Sequence, residues 1–189
     1  LAMKVLHGGF KEAGNAAREL DLKMRMLTGV GKARSVAAYV KLLLQDNERV
    51  FLSGWHRAVY DIWRKELDRY SPVFYTGTET PAYKKHSIEQ FCNGKSRVFI
   101  ISNRSGAGLD GLQFHCNQYV AGEFDWSPQI HHQLAGRLRR AGQTEQVDVH
   151  YPWVNWGSDP LIMEINAIKS DQSRGILRPG QEMALKVSD

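Results

Sequence analysis

Three arginines crowd into four residues of the segment Gln133–Gln143, QLAGRLRRAGQ, with glycines and glutamines on either side. A guanidinium is always charged and presents a rigid fork of donors, so such a cluster is suited to gripping phosphate oxygens in pairs. Read as a helix, the segment places Arg137 and Arg140 on one face and sends Arg139 elsewhere. In that reading Gly136 leaves room for another backbone to approach, and Gly142 ends the helix. The turn Ser105-Gly106-Ala107-Gly108-Leu109-Asp110-Gly111 is a second candidate, because its backbone amides can face an anion. Arg104 stands beside it. Other groups carry less. Gly31-Lys32 is no phosphate loop, since G-x-x-x-x-G-K-[ST] would need glycine at Met26 and a hydroxyl at Ala33. His131-His132 lacks a carboxylate or cysteine at metal-ligand spacing. Lys84-Lys85 reads as a solvated helix face. Trp55, Trp63, Trp126, Trp153 and Trp156 read as packing residues rather than base-stacking platforms.

Strands and helices alternate around these segments. Phe10, Ala13, Ala17, Leu20, Met24 and Leu27 make one apolar stripe, so the spacing predicts a helix over 10–27 that Thr28–Gly31 breaks. A second helix follows, with Val36, Tyr39, Val40, Leu43 and Leu44 on one side. Val50–Ser53 reads as a buried strand, His56–Tyr70 as a helix, and Val73–Tyr75 as a strand. Thr80-Pro81 reads as the cap and first residue of a helix reaching Asn93-Gly94. Arg97–Ser102 is a continuous β-branched run, as a strand covered on both faces should be. Asn117–Ala121 and Val147–Tyr151 supply two more strands. Asp159-Pro160 opens a last helix, and from Ser170 the chain reads as a loosely held polar tail. Alternation of this kind requires right-handed crossovers, giving an α/β fold with a mostly parallel sheet and helices on both faces. Functional groups of such sheets gather at the carboxyl ends of the strands, where Ser105–Gly111 and the segment around Asp125 fall.

At 189 residues, with 42% hydrophobic and 24% charged residues, the chain has room for one substantial core. No apolar run approaches the ~20 residues of a membrane span. The two cysteines, Cys92 and Cys116, are far apart, which favours a reducing, intracellular setting. Residues 1–49 carry nine Lys/Arg against five Asp/Glu, and the remainder sixteen against fifteen. That bias favours a nucleic-acid partner. The start at Leu1 suggests a piece of a longer protein.

Gln133, Gly136, Arg137 and Arg140 spell Q-x-x-G-R-x-x-R, which resembles the sixth motif of superfamily-two helicases. The run through Gly142-Gln143 resembles the R-x-x-R-x-G-Q ending of the Swi/Snf-type DNA translocases. Upstream, VFLSGWHRAVYDIW (50–63) is similar to the fourth motif and YTGTETPAYKKHSIEQF (75–91) to the hydroxyl-rich turn and helix that follow it. VFIISNRSGAGLDGLQ (98–113) is similar to the fifth motif, with Gly108-Leu109-Asp110 as its Gly-x-Asp. Asp125–Pro128 resembles the join between the fifth and sixth. Order and spacing agree over roughly 32–151, while Asp110 and Leu138-Arg139 depart from the Swi/Snf pattern.

The resemblance implies the second, C-terminal RecA-like lobe (the P-loop NTPase type of three-layer α/β/α sheet) of an ATP-driven motor on DNA. Residues 1–31 would connect the lobes, 32–169 would form the lobe, and 170–189 the tail. Arg137 and Arg140 would be arginine fingers at the γ-phosphate of ATP, with Gln133, Gly108 and Asp110 at the nucleotide cleft. Asp110 would fix an arginine or a ribose hydroxyl. Ser53, Gly54, Arg104, Ser105 and Gly106 would face the DNA strand. ATP and its Mg²⁺ would be held by the N-terminal lobe of the same protein, since this sequence has no complete G-x-x-x-x-G-K-[ST] loop (Gly94-Lys95-Ser96 has Glu89 where the first glycine would stand) and no DExH or DExD string. The setting would be the cytoplasm and nucleoid, or a nucleus. A stand-alone nucleic-acid-binding module that keeps the fold without ATP hydrolysis is the alternative. A two-lobed sugar transferase also alternates strands and helices but has no reason to place RxxR-x-GQ after a Gly-x-Asp turn.

Overall fold

Five short strands, every neighbouring pair parallel, form one sheet in the order β2-β3-β1-β4-β5. The computed structural model describes residues 10–105 and 109–177. β1 (Val50–Gly54) is central, flanked by β3 (Val98–Ser102) and β4 (Gln118–Ala121), with β2 (Val73–Tyr75) and β5 (Asp148–His150) at the edges. Leu52 lies opposite Ile100 on one side and Val120 on the other.

Each strand buries alternate side chains on opposite faces. Val50, Leu52, Val98, Ile100 and Val120 pack under α1 (Phe10–Asp46) and α2 (Arg57–Glu66) through Val36, Val40, Val59 and Trp63. Phe51, Phe99, Ile101 and Tyr119 pack on the other face with α3 (Pro81–Cys92), α4 (Pro128–Leu138) and Ile162 of α5 (Asp159–Leu177). Two apolar faces explain why the strands read as continuous hydrophobic runs. The architecture is the parallel α/β sheet with helices on both faces that the alternation implied, in the three-layer RecA-like form that the resemblance implied. At the start of α3, Thr80 accepts from the Tyr83 amide and Pro81 occupies the first turn, as the sequence indicates.

Three expectations about helices are corrected. The predicted break at Thr28–Gly31 is absent: α1 runs unbroken for 37 residues, about 55 Å, so the expected boundary at residue 31 falls inside one helix. The glycines there serve close approach. A Cβ on Gly29 would lie 2.2 Å from Glu123 Oε1, and one on Gly31 would lie 2.3 Å from the ring of Trp156. Thr28 bonds its hydroxyl back to Met24 O at 2.8 Å within the helix and accepts the Ser158 amide at 2.9 Å, tying α1 to the segment before α5. The arginine helix, in contrast, is shorter than expected. It stops at Leu138, so Arg137 and Arg140 do not share a helical face. Leu138 is fully buried, and the chain turns away after it through Gly142 at φ 92°, with the Gln143 amide closing on Arg140 O at 3.0 Å. Gly136 has no atom within 4 Å of where its Cβ would stand, so no backbone approaches there. Finally, α5 continues to Leu177, past the expected tail boundary at 170, and residues 178–189 lie outside the described part.

The two kinds of helical glycine make opposite predictions. Gly14 of α1 has nothing within 4 Å of its would-be Cβ, so Gly14→Ala should raise the unfolding free energy by about 0.5–1 kcal/mol from backbone entropy alone. Gly29→Ala gains the same propensity but drives a methyl into Glu123, and should destabilise by about 1–3 kcal/mol. Urea unfolding of both variants checks the sign. Equal, stabilising effects would mean that Gly29 is not a packing site.

Candidate nucleotide and nucleic-acid site

Arg140, two residues past the end of α4, reaches back to the turn after β3. Its Nη1 donates to Leu109 O at 2.7 Å and to Asp110 Oδ1 at 2.8 Å. Gln113 Nε2 donates to the same carboxylate oxygen at 3.3 Å, and Gln113 Oε1 accepts the Gly111 amide at 3.0 Å. Arg140, then Gln113 and the Gly111 amide, hold the Asp110 carboxyl below the usual carboxylate range. The turn itself needs glycine, since Gly111 sits at φ 89°. Two segments singled out in the sequence are thus joined by one ion pair, and Asp110 fixes an arginine. The Asp110 side chain stays 76% exposed, so this pair is open to solvent and to ligands.

The other expected residues divide. Arg137 lies half-buried in the last turn of α4 and makes no ion pair among the described residues. Gln133 is exposed on the same helix. Arg104 is exposed with its guanidinium 4.2 Å above the Trp55 ring, and Ser105 closes a turn through its amide to Ser102 O at 2.8 Å. Gly106 and Gly108 lie outside the described residues. Ser53 and Gly54 are corrected: neither faces solvent. Ser53 is fully buried with its hydroxyl 2.9 Å from Tyr119 Oη, and Gly54 is pressed beneath Trp63, whose ring would lie 2.7 Å from a Cβ. Both serve the packing of the sheet's carboxyl edge rather than presenting a surface to solvent.

That edge is built by residues that sequence reasoning missed. Glu123, just past β4, is buried, and its Oε2 accepts the amides of Trp55 and His56 at 2.6 and 2.9 Å. Its Oε1 stands 2.6 Å from His56 Nδ1. The carboxylate thereby caps α2 from a different element, near the positive end of that helix. Lys32 of α1 is likewise buried. Its Nζ bonds Asp159 Oδ2 at 2.7 Å and lies 4.0 Å from the Phe124 ring centroid. Burial pulls the Lys32 pKa down, and Asp159 opposes it. Arg25 donates to Phe124 O at 3.0 Å and lies 3.7 Å from Asp125. The only sequence signal for Glu123 was an acidic residue straight after an apolar strand.

His131, read as half of an isolated pair, is buried. Its Nε2 accepts the Asp125 amide at 3.1 Å, so the neutral ring carries its proton on Nδ1, 3.0 Å from Tyr119 Oη. The Tyr119 hydroxyl also shares a hydrogen bond with Ser53 Oγ at 2.9 Å. This relay ties the start of α4 to the central strand. Trp63 belongs to the core, whereas Trp153 and Trp156 are 57% and 46% exposed.

No family model matches the chain. It is 26% identical over 165 residues to the SWI/SNF-related matrix-associated actin-dependent regulator of chromatin subfamily A-like protein 1 of Drosophila melanogaster, covering 84% of this chain and 21% of that protein. It is 28% identical over 178 residues to the DNA annealing helicase and endonuclease ZRANB3 of Mus musculus, covering 85% and 16%. It is 27% identical over 130 residues to the ATP-dependent helicase YqhH of Bacillus subtilis, covering 68% and 22%. The chain therefore spans about a fifth or less of the first two of these relatives. Among solved structures, the C-terminal part of the Fun30 ATPase domain superposes with a TM-score of 0.62 at 21% identity, over 68% of this chain and 44% of that one, and so matches in fold. The chain is similar to Swi/Snf-type, superfamily-two proteins over most of its length. No helix among the described residues is long and apolar enough to cross a membrane.

Burial pulls the His131 pKa down to about 4; Asp125 opposes this, while His132, Lys32 and Arg25 add to it. The unfolded ring takes its proton near pH 6.5, so the folded state binds fewer protons between the two values. Stability from this group is complete above about pH 6.5 and is lost as pH falls toward 4. The chain should be roughly 3 kcal/mol less stable at pH 4 than at pH 7 from this group alone. In His131→Gln that portion of the pH slope should vanish. Urea midpoints across the range measure it, and an unchanged slope in the variant would refute the assignment.

Proposed function

We propose that this Swi/Snf-type, superfamily-two chain works as the C-terminal motor lobe of an ATP-dependent DNA helicase or translocase. The observation that carries the reading is the Arg140–Asp110 ion pair, which joins the stretches resembling the fifth and sixth motifs at an exposed edge. The similarity to an ATP-dependent helicase and to a DNA annealing helicase supports it. Arg140 is oriented by two acceptors yet remains exchangeable, and Arg137 has no competing carboxylate among the described residues. Both suit a fork that meets the γ-phosphate of ATP. The nucleotide and its Mg²⁺ would be held by an N-terminal lobe with a phosphate loop and an acidic box, neither of which this sequence contains. Bound there, ATP supplies a phosphoanhydride whose hydrolysis spreads negative charge that the arginines stabilise. Arg104 would contact the DNA backbone.

In the complete protein, with DNA saturating, Arg140→Ala should leave the nucleotide Kd within a few-fold and lower kcat on the order of 10³-fold or more. Arg140→Lys should not rescue, because a point charge cannot reproduce the fork. Arg139→Ala is the control, and Asp110→Asn should cost less than Arg140→Ala, since an exposed pair contributes little by itself. Equal, mild losses at Arg139 and Arg140 would favour a nucleic-acid-binding module without ATP hydrolysis. The 189-residue chain alone should not turn over ATP; DNA-stimulated turnover by it would overturn the reading.

A further inference from the structure

At the carboxyl edge of the sheet an indole sits between two arginines of different standing. Trp55 follows β1 directly, is half-buried, and has its amide held by Glu123 Oε2 at 2.6 Å. Arg25 approaches the ring at 5.6 Å, but its charge is spoken for: it is buried, bonds Phe124 O and lies beside Asp125. Arg104 comes closer, 4.2 Å from the ring centroid, and is exposed with no carboxylate partner among the described residues. Its own amide lies 3.4 Å from Ser102 Oγ. A long cationic side chain on a surface turn samples many rotamers, and ordering it on binding costs affinity. An aromatic face beneath the guanidinium removes much of that cost while leaving the N–H donors at its perimeter.

We propose that Trp55 is a positioning residue for nucleic-acid binding, holding the Arg104 guanidinium in place to meet a phosphodiester. The inference rests on the DNA-translocase reading. Its ligand is the backbone rather than a base, because the indole face is already covered by the arginine and what remains presented is charge. The support under it is continuous. Gly29 leaves room for the Glu123 carboxylate, Glu123 holds the Trp55 amide, and the Trp55 ring carries Arg104.

The test is anisotropy of a fluorescein-labelled DNA duplex titrated with the full chain over a series of KCl concentrations. Arg104→Ala should weaken binding and lower the slope of log K against log salt by about one. Trp55→Leu should do nearly the same, with affinity about three- to tenfold lower, whereas Trp55→Phe should behave as wild type. The double variant Trp55→Leu/Arg104→Ala should be no weaker than Arg104→Ala, because the two losses are one interaction. Should Trp55→Leu fail to fold, Trp55→Met, nearer in volume and also without a ring, is held to the same criteria. Wild-type slope in the ringless variant, or additive losses in the double variant, overturns the role of Trp55 while leaving the translocase reading standing. A wild-type chain that does not bind the duplex overturns both.

Discussion

A buried carboxylate decides the shape of the functional edge. Ionised carboxylates resist leaving water, at a cost of several kcal/mol unless hydrogen bonds replace the lost solvent. Glu123 meets that demand with two backbone amides at the start of α2 and the His56 ring. The arrangement has geometric consequences in three directions. The amides must come from the residues that follow β1, which fixes where β1 ends and α2 begins. The carboxylate must fit against α1, which requires glycine at position 29. And the ring of Trp55 is set at the sheet edge because its amide is already committed. A neutral substitute at Glu123 would leave all three without their common anchor.

The long first helix follows from the same packing. Thr28-Gly29-Val30-Gly31 has the composition of a helix stop, and in isolation it would be one. Here α1 must lie close to the β4 edge and to the segment before α5, and only glycine lets it. Trp156 fills the space beside Gly31, Gly157 packs on Thr28, and the Lys32–Asp159 pair closes beneath them. Removing a partner from such a pair leaves an uncompensated buried charge, so α1 and α5 are bound as one unit.

Strand order along the chain, the capped start of α3 and the apolar sheet core were legible because each rests on a local signal: β-branched runs, Thr80-Pro81, alternation. The Q-x-x-G-R-x-x-R spacing was equally legible, and the pairing of Asp110 with an arginine came from the resemblance. What failed was decided at long range. Glycine that breaks a helix and glycine that admits a neighbour look identical in sequence, so Gly29 and Gly31 were misread, and Gly136 was misread in the opposite sense. The end of α4 at Leu138 depends on a turn through Gly142 against Phe114. Ser53, a small polar residue at a strand end, looked ready for a ligand, but its partner Tyr119 is 66 residues away. His131 shows the same limit, since its neutral state comes from burial between β4 and α4.

Two classes of ion pair divide the labour between scaffold and site. The Lys32–Asp159 ion pair is buried, as is the Glu123 carboxylate with its hydrogen bond to the His56 ring, and removing a partner from either leaves a polar group unmatched in a low-dielectric interior. Such pairs cannot be exchanged during a reaction cycle without loosening the fold. Arg140–Asp110 is different: the arginine is 30% exposed and the carboxylate 76% exposed, where solvent screening leaves a pair little weight in stability. In the proposed motor role, a phosphate with two or three charged oxygens would compete with one solvated carboxylate. The same geometry that aims the Arg140 fork therefore lets it go. On the exposed turn after α4, Arg140 without an acceptor would be poorly aimed, and with a buried partner it would be trapped. An exposed, hydrogen-bonded carboxylate on the neighbouring turn is the arrangement that avoids both, with Asp110 setting the direction of the Arg140 fork and Arg140 supplying its charge.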